Sequence, residues 1–346
     1  MLAMIRKEFR ELRRDRRTVA MLVALPILLL VIFGYAANFD VTSIRTEVYG
    51  EGADQVASVL PDLFDVTDVD TSGTSSTAED ALRADDADVI IVTSSDGAPT
   101  AYVNGSDLFT AQAASAALGQ AAASAPDGAA PTVDVLFNPE LQTSWVMVPA
   151  LVGLILAFIG TIVTSLGLVR ERQEGTLEQL AVMPFRPSDV IVGKIAPYFL
   201  LAAVDMVIVT VVGTVLFGVP FAGNVALFAI GAALFLLVVL GIGVLISTAS
   251  QNQGQAIQAA LMLLMPQILL SGMIFPLSSM PWGVRWIGYV LPLTWFIEIS
   301  QGIMLRGAGL SSLWPAFAVL AAMAAVVFGA AIGRFRRDLA PGGASA

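Results

Sequence analysis

Two carboxylates sit where carboxylates are costly. Asp205 lies inside an apolar run at 193–218, and Glu298 lies in a Trp- and Pro-rich stretch between apolar runs. On insertion scales a charge at mid-membrane costs roughly 2.5–3.5 kcal/mol, so each is a candidate for a transport path. For Asp205 the settings open to it are a polar cavity, a subunit interface or the outer membrane boundary. For Glu298 the alternative to a path is a structural place at that boundary. An ion-driven carrier keeps several such groups beside repeated broken helices, and two isolated carboxylates give that chemistry thin support. Other chemistries fail for want of residues. The chain has no His and no Cys, which removes disulfides, thiolate or imidazole metal sites and Ser-His or Cys-His catalysis. Gly193-Lys194 is followed by Ile195 and position 188 is Ser, so no phosphate-cradling Walker A loop is encoded. No cofactor is expected in this chain.

A second concentration of charge is the run Val169-Arg170-Glu171-Arg172-Gln173-Glu174-Gly175-Thr176-Leu177-Glu178. Gly175-Thr176 breaks it. Thr176 is placed to N-cap a short helix with Gln179 three residues on, and Pro184 and Pro187 end that helix. Such a segment held at a membrane surface can dock into a soluble partner; the alternative is a solvated loop.

Mean hydropathy of +0.79 and only 13% charged residues point to a bilayer around these groups. Apolar runs of spanning length fall at 18–38, 145–168, 193–218, 225–248, 256–275 and 314–333, the fifth interrupted by Pro266, Gln258 and Gln267. Continuous apolarity without period-2 alternation reads as helices. The first run is too long for a signal peptide and is read as a retained span. Residues 1–17 place Leu2, Ile5, Phe9 and Leu12 on one stripe against Arg and Lys, the pattern of a helix lying on anionic lipid. Fourteen of the 18 Lys and Arg residues fall before residue 18, in the 169–194 segment or after residue 333. With six spans these segments share one side, which the positive-inside rule makes cytoplasmic. Residues 39–144 then lie outside, with 18 of the 28 acidic residues.

That stretch alternates strand-like pieces (44–49, 63–69, 87–93, 101–104, 132–137) with helix-like ones (54–60, 78–84, 107–123), while 71–77 and 124–131 read as loops. The expected fold is a polytopic α-helical membrane protein of six transmembrane helices, with a small α/β extracytoplasmic domain between helices 1 and 2. A cytoplasmic loop fills 169–192, an outer re-entrant hairpin 276–313 and a cytoplasmic tail 334–346. Gly231, Gly241 and Gly243 with Ala232 and Ala233 would let helices pack closely.

The segment VRERQEGTLEQLAVMPFRPSDVIVGKIAPY (169–198) resembles the coupling loop of ABC-2 type transporter permeases. FNPELQTSWVMVPALVG (137–153) is similar to that family's entry into its second span. LLSGMIFPLSSMPWGVRWIGYVLPLTWFIEISQGIMLRG (269–307) resembles its outer hairpin. MIRKEFRELRRDRRTVAMLVALPILLL (4–30) resembles its elbow helix and first span, and VNGSD (103–107) a motif of the subgroup with a large outer insert. The resemblance implies a six-span subunit working as a dimer, with itself or a sister permease, beside two cytoplasmic ATPase subunits that hold ATP and Mg. By that likeness Glu171, Arg172, Glu174, Gly175, Thr176 and Glu178 meet the ATPase, and the cargo is a hydrophobic or amphipathic compound leaving the cytoplasmic membrane. No nucleic-acid partner is implied. A second reading is a non-transporting membrane sensor or assembly protein with a ligand-binding ectodomain, which predicts no ATPase partner.

Overall fold

The computed structural model describes residues 41–94, 97–124, 131–174 and 187–338. The amphipathic helix expected at 1–17, the first span at 18–38 and part of the charged loop, 175–186, lie outside the described residues.

Alternating apolar residues build a five-stranded sheet. In chain order the elements are β1 (Ile44–Gly50), α1 (Ala53–Val59), β2 (Phe64–Asp70), α2 (Ser75–Ala84), β3 (Val89–Ser94), β4 (Gly97–Asn104), α3 (Leu108–Ser124) and β5 (Thr132–Leu136). The strand order is β2-β1-β3-β4-β5. β1 runs parallel to β2 and β3, β4 antiparallel to β3, and β5 parallel to β4. Each parallel neighbour needs a crossover, and α1, α2 and α3 supply them. On one face Val48, Val89, Ile91, Ala101 and Val103 pack with Ala53 of α1 and Ala111, Ala114 and Leu118 of α3. On the other, Tyr49 and Ile90 pack under Ala78 and Leu82 of α2. Both faces are covered, which makes the unit an α/β layer structure.

The Ser/Thr run expected to be loop through residue 77 is partly helix. Thr74 accepts a hydrogen bond from the Thr77 amide, and the Thr77 hydroxyl receives one from the Thr74 amide. This reciprocal cap starts α2 at Ser75, three residues before its first apolar position.

The rest is a helix bundle: α4 (Thr143–Gln173), α5 (Pro187–Phe217), α6 (Val225–Ala249), α7 (Gln253–Leu270), α8 (Trp282–Val290), α9 (Pro292–Met304) and α10 (Leu310–Asp338). Among the described residues four of these, within α4, α5, α6 and α10, are long and apolar enough to cross a membrane. The protein is therefore a helical membrane protein carrying a small sheet domain. Several boundaries differ from expectation: α10 starts at Leu310, inside the expected hairpin, and runs to Asp338, into the expected tail. α4 runs on to Gln173, so Glu171 and Arg172 belong to its last turn rather than to a loop beginning at 169. Pro187 opens α5, where its missing N–H costs nothing, and the short helix expected before it lies outside the described residues.

α6 sits at the centre. Its Phe235 stacks on Phe296 of α9 with ring centroids 4.6 Å apart. The small residues noted on this run serve contacts inside the chain: Gly231 faces Ile299, Gly241 faces Val327, and a Cβ on Gly243 would come within 3.0 Å of the Thr161 carbonyl oxygen on α4. Gly153 of α4 is tighter still, since a Cβ there would lie 2.4 Å from the Phe296 ring. Pro149 removes one donor from the hydrogen-bond ladder of α4, and α9 is bonded to the same stretch: Gln301 donates to the Val146 carbonyl at 3.0 Å and Ser300 to the Pro149 carbonyl at 3.3 Å.

The two ends of the bundle differ. At one, the sheet domain leads into α4, Arg83 of α2 donates to the Arg306 carbonyl at 2.7 Å, and the Ala222 amide donates to the Met304 carbonyl at 2.9 Å. At the other, the end of α4 meets the α6–α7 turn, where Gln253 donates to the Gln173 side chain at 3.2 Å.

Candidate functional site

Three places hold the residues singled out in the sequence. The first is the end of α4. Arg170 pairs with Glu174 one turn later at 2.8 Å, both largely exposed, so a partner reaching this end meets a preformed charged turn. Glu171 and Arg172 share that turn. Gly175, Thr176 and Glu178 lie outside the described residues.

The second is a cavity of about 350 Å³ among α4, α5 and α6, lined by Gly160, Thr164, Tyr198, Leu201, Asp205 and Ile208 among others. Apart from Asp205 its lining carries no charged side chain. Gly167 admits the Tyr198 hydroxyl closely against α4. One carboxylate oxygen of Asp205 is buried without a hydrogen-bond partner, as are the hydroxyls of Thr161, Thr164 and Thr210. Leu201, Val204 and Ile208 around it are exposed.

The third is a chamber of about 580 Å³ where the sheet domain rests on α4, α8 and α9. It brings Glu298 together with Arg45, Asp85, Asp88, Asp107, Arg285 and Arg306. Arg45 pairs with Asp88 at 2.7 Å. Arg306, 5% exposed, spans Ser106 at 3.1 Å and Asp85 at 3.4 Å. The VNGSD turn organises the sheet-domain side. Asn104 donates to Asp85 at 3.0 Å, the Ser106 hydroxyl donates to the Asn104 side-chain oxygen at 2.6 Å, and Asp107 accepts from Thr110 at the start of α3. Gly105 is required there because a Cβ would lie 2.7 Å from the Leu136 carbonyl. α9, at 13 residues or about 20 Å, is too short to span. Burial pushes the Glu298 carboxyl above its ordinary range, nearby Asp85 adds to the rise, and Arg306 and Arg45 oppose it. Burial likewise raises Asp107, against its bonds to Thr110.

A family model described as "ABC-2 family transporter protein" matches residues 16–332. The chain belongs to the ABC-2 transporter family. The probable multidrug ABC transporter permease YbhR of Escherichia coli (strain K12) is 30% identical over 361 residues, spanning 97% of this chain and 98% of that protein. YbhS of the same strain, also described as a probable multidrug ABC transporter permease, is 30% identical over 342 residues, 87% of each chain. The inner membrane transport permease YhhJ is 35% identical over 206 residues, 59% of this chain and 54% of its own.

In this ABC-2 chain the sequence reading reached Glu298 but missed its company. Arg45, Asp85, Asp88, Asp107, Arg285 and Arg306 come from segments up to 261 residues apart, and no periodicity links them. A signal did exist. The four bases outside the three basic segments are Arg45, Arg83, Arg285 and Arg306. Three of them line the chamber, and the fourth, Arg83, holds the Arg306 backbone. Bases on the acidic side of a membrane protein are the ones whose presence needs a local cause.

Proposed function

We propose that this chain is the membrane-spanning subunit of an ATP-driven exporter in the cytoplasmic membrane. It has six spans, counting 18–38 and α7, with both termini inside and residues 39–144 outside. It works as a dimer with a second permease subunit, and two separate ATPase subunits bind ATP and Mg. Its cargo is a hydrophobic or amphipathic compound, in keeping with the multidrug description of its relatives. The observation that carries this reading is the polarity of the bundle. Arg170, Arg172 and Arg334 cluster by sequence at the end away from the acidic sheet domain, and the α4 terminus there already holds the Arg170–Glu174 turn.

The turn and the six residues Glu171, Arg172, Glu174, Gly175, Thr176 and Glu178 contact the ATPase, so ATP-driven closure of the ATPase pair moves α4 and α5, the helices flanking the loop. The Asp205 cavity supports the second permease subunit. A half-buried carboxylate ringed by exposed Leu201, Val204 and Ile208 is costly against lipid, and a facing subunit relieves that cost. The test is co-purification with the ATPase followed by turnover measurement for Glu174→Arg and Gly175→Pro. Loss of the complex or of cargo-stimulated turnover is expected. Unchanged assembly and turnover in both variants would remove the coupling assignment.

A further inference from the structure

The chamber beneath the sheet domain has a charge pattern that selects its occupant. Each guanidinium lining it already makes a hydrogen bond or ion pair, although the Nε of Arg285 is buried without a partner. Arg45 holds Asp88, and Arg306 holds Asp85 and Ser106. Arg285 donates to the carbonyls of Ser278 and Met280. The remaining edge of Arg306, its Nε and Nη2, is buried with Nη2 packed toward Gly302, so it offers nothing to a ligand in the chamber. Asp107 is taken up by Thr110. Among the described residues that leaves two lining charges without a hydrogen bond or ion pair: Asp65, exposed on β2, and Glu298, partly buried on α9. Both are negative.

Polar and apolar side chains share the rest of the wall. Thr294 and Gln301 beside Glu298 donate to the carbonyls of Gly288 and Val146, and Met147 of α4, Met273, Leu108, Phe109 and Ile297 form the apolar part. Met side chains adapt to ligands of differing shape. A metal ion does not suit this wall, because Ca²⁺ or Mg²⁺ needs about six oxygen ligands and the other carboxylates are committed. A weakly hydrated cation with an apolar body does suit it: the body covers the apolar part of the wall and the charge meets the one inner carboxylate that lacks a partner.

We propose that this chamber is a binding site for lipophilic organic cations, with Glu298 as the counter-charge. As a station on an export path it rests on the exporter reading, but binding itself needs neither ATP nor an ATPase, so the two readings fail separately. The probe is tetraphenylphosphonium, with tetraphenylborate as an anion of the same shape. Equilibrium dialysis with the purified full-length chain in detergent measures both. Tetraphenylphosphonium is expected to bind in preference to tetraphenylborate, and Glu298→Gln to weaken the cation by about tenfold, the scale of one charge-assisted contact. The same substitution leaves the anion no weaker, and Glu298→Asp retains most of the cation affinity.

Location is read independently of that variant. The chain contains no Cys, so Met147→Cys introduces a single thiol at the wall. Tetraphenylphosphonium is expected to slow its reaction with a maleimide at least about threefold, a shift of roughly 0.7 kcal/mol in occupancy terms. Equal binding of cation and anion, cation affinity indifferent to Glu298→Gln, or an unprotected thiol at saturating cation would each overturn the proposal.

Discussion

Asp205 and Glu298 are the same functional group placed in opposite company. Around Asp205 the cavity walls are mostly aliphatic, the other polar lining residues are Tyr198 and Thr164, and one carboxylate oxygen has no partner. Around Glu298 stand three guanidiniums and four aspartates, with Arg45 paired to Asp88 and Arg306 to Asp85. A lone carboxylate in an apolar wall is a cost that a second subunit or a passing ligand must offset. A carboxylate left without a partner among neighbours that are mostly hydrogen-bonded or ion-paired is a candidate selective site. The charge alone, visible in the sequence, does not separate these cases; the accounting of partners does.

The contrast breaks most visibly at Arg306. Arg306→Met removes the buried cation shared by Asp85 and Ser106 and should lower stability by about 3 kcal/mol, toward the low end for a broken buried pair because Asp85 is about one-third exposed. Thermal unfolding in detergent checks it, and limited proteolysis should show the sheet domain loosened first. A melting point within a degree of wild type would mean that the cluster does not hold the two units together.

Next comes the helix under Glu298. Gly153→Ala places a methyl group 2.4 Å from the Phe296 ring, and overpacking of this kind costs about 2 kcal/mol. Because Phe296 is two residues from Glu298, the same variant should shift tetraphenylphosphonium affinity. Gly160→Ala, beside the Asp205 cavity and 3.0 Å from a Val239 methyl, should cost less and leave cation binding alone. If the two glycine variants behave alike, the two cavities are not independent.

Asp205→Asn sharpens the comparison in the opposite direction. Removing a charge that has no partner should leave the isolated subunit as stable or raise its stability by about 1 kcal/mol. A clear loss in melting temperature would point to a cation against Asp205 and erase the difference from Glu298.

The smallest expected effect is on pH. The Glu298 carboxyl sits above the ordinary glutamate value because burial and Asp85 favour its neutral form, while Arg306 and Arg45 oppose them; Asp107 and Arg285 also line the chamber. Protonation removes the negative charge, so cation binding should be full at high pH and decline as pH falls, with a midpoint above 4.5. Titrating tetraphenylphosphonium binding against pH locates that midpoint, and Glu298→Gln should flatten the curve.

Much of the fold could be read directly. The strands and helices of the sheet domain follow from short alternating runs separated by turn residues, and the observed elements begin within three residues of where the pattern puts them, save β4, where the pattern misses the first four residues. The departures have local causes. Thr74 and Thr77 turn a polar run into a helix start, and Pro187 opens a helix because an N-terminal turn needs no donor there. α7 is a helix of 18 residues, but Gln255, Gln258 and Gln267 hold its hydropathy down. The chamber was the least legible part. Arg306 meets Asp85 across more than 200 residues, and pairing over that distance leaves no repeat in the chain. Only the odd position of the four bases outside the basic segments hinted at it.

α4 contributes Met147 to the chamber wall and, 23 residues later, Arg170 to the charged turn. At about 1.5 Å per residue the two stations lie about 35 Å apart on one helix. Pro149 is its single proline, half a turn from Met147. A rod that is stiff along most of its length and compliant only beside the sheet domain turns tilting at its charged end into opening or squeezing at the chamber, with no need for a relay of side chains between them.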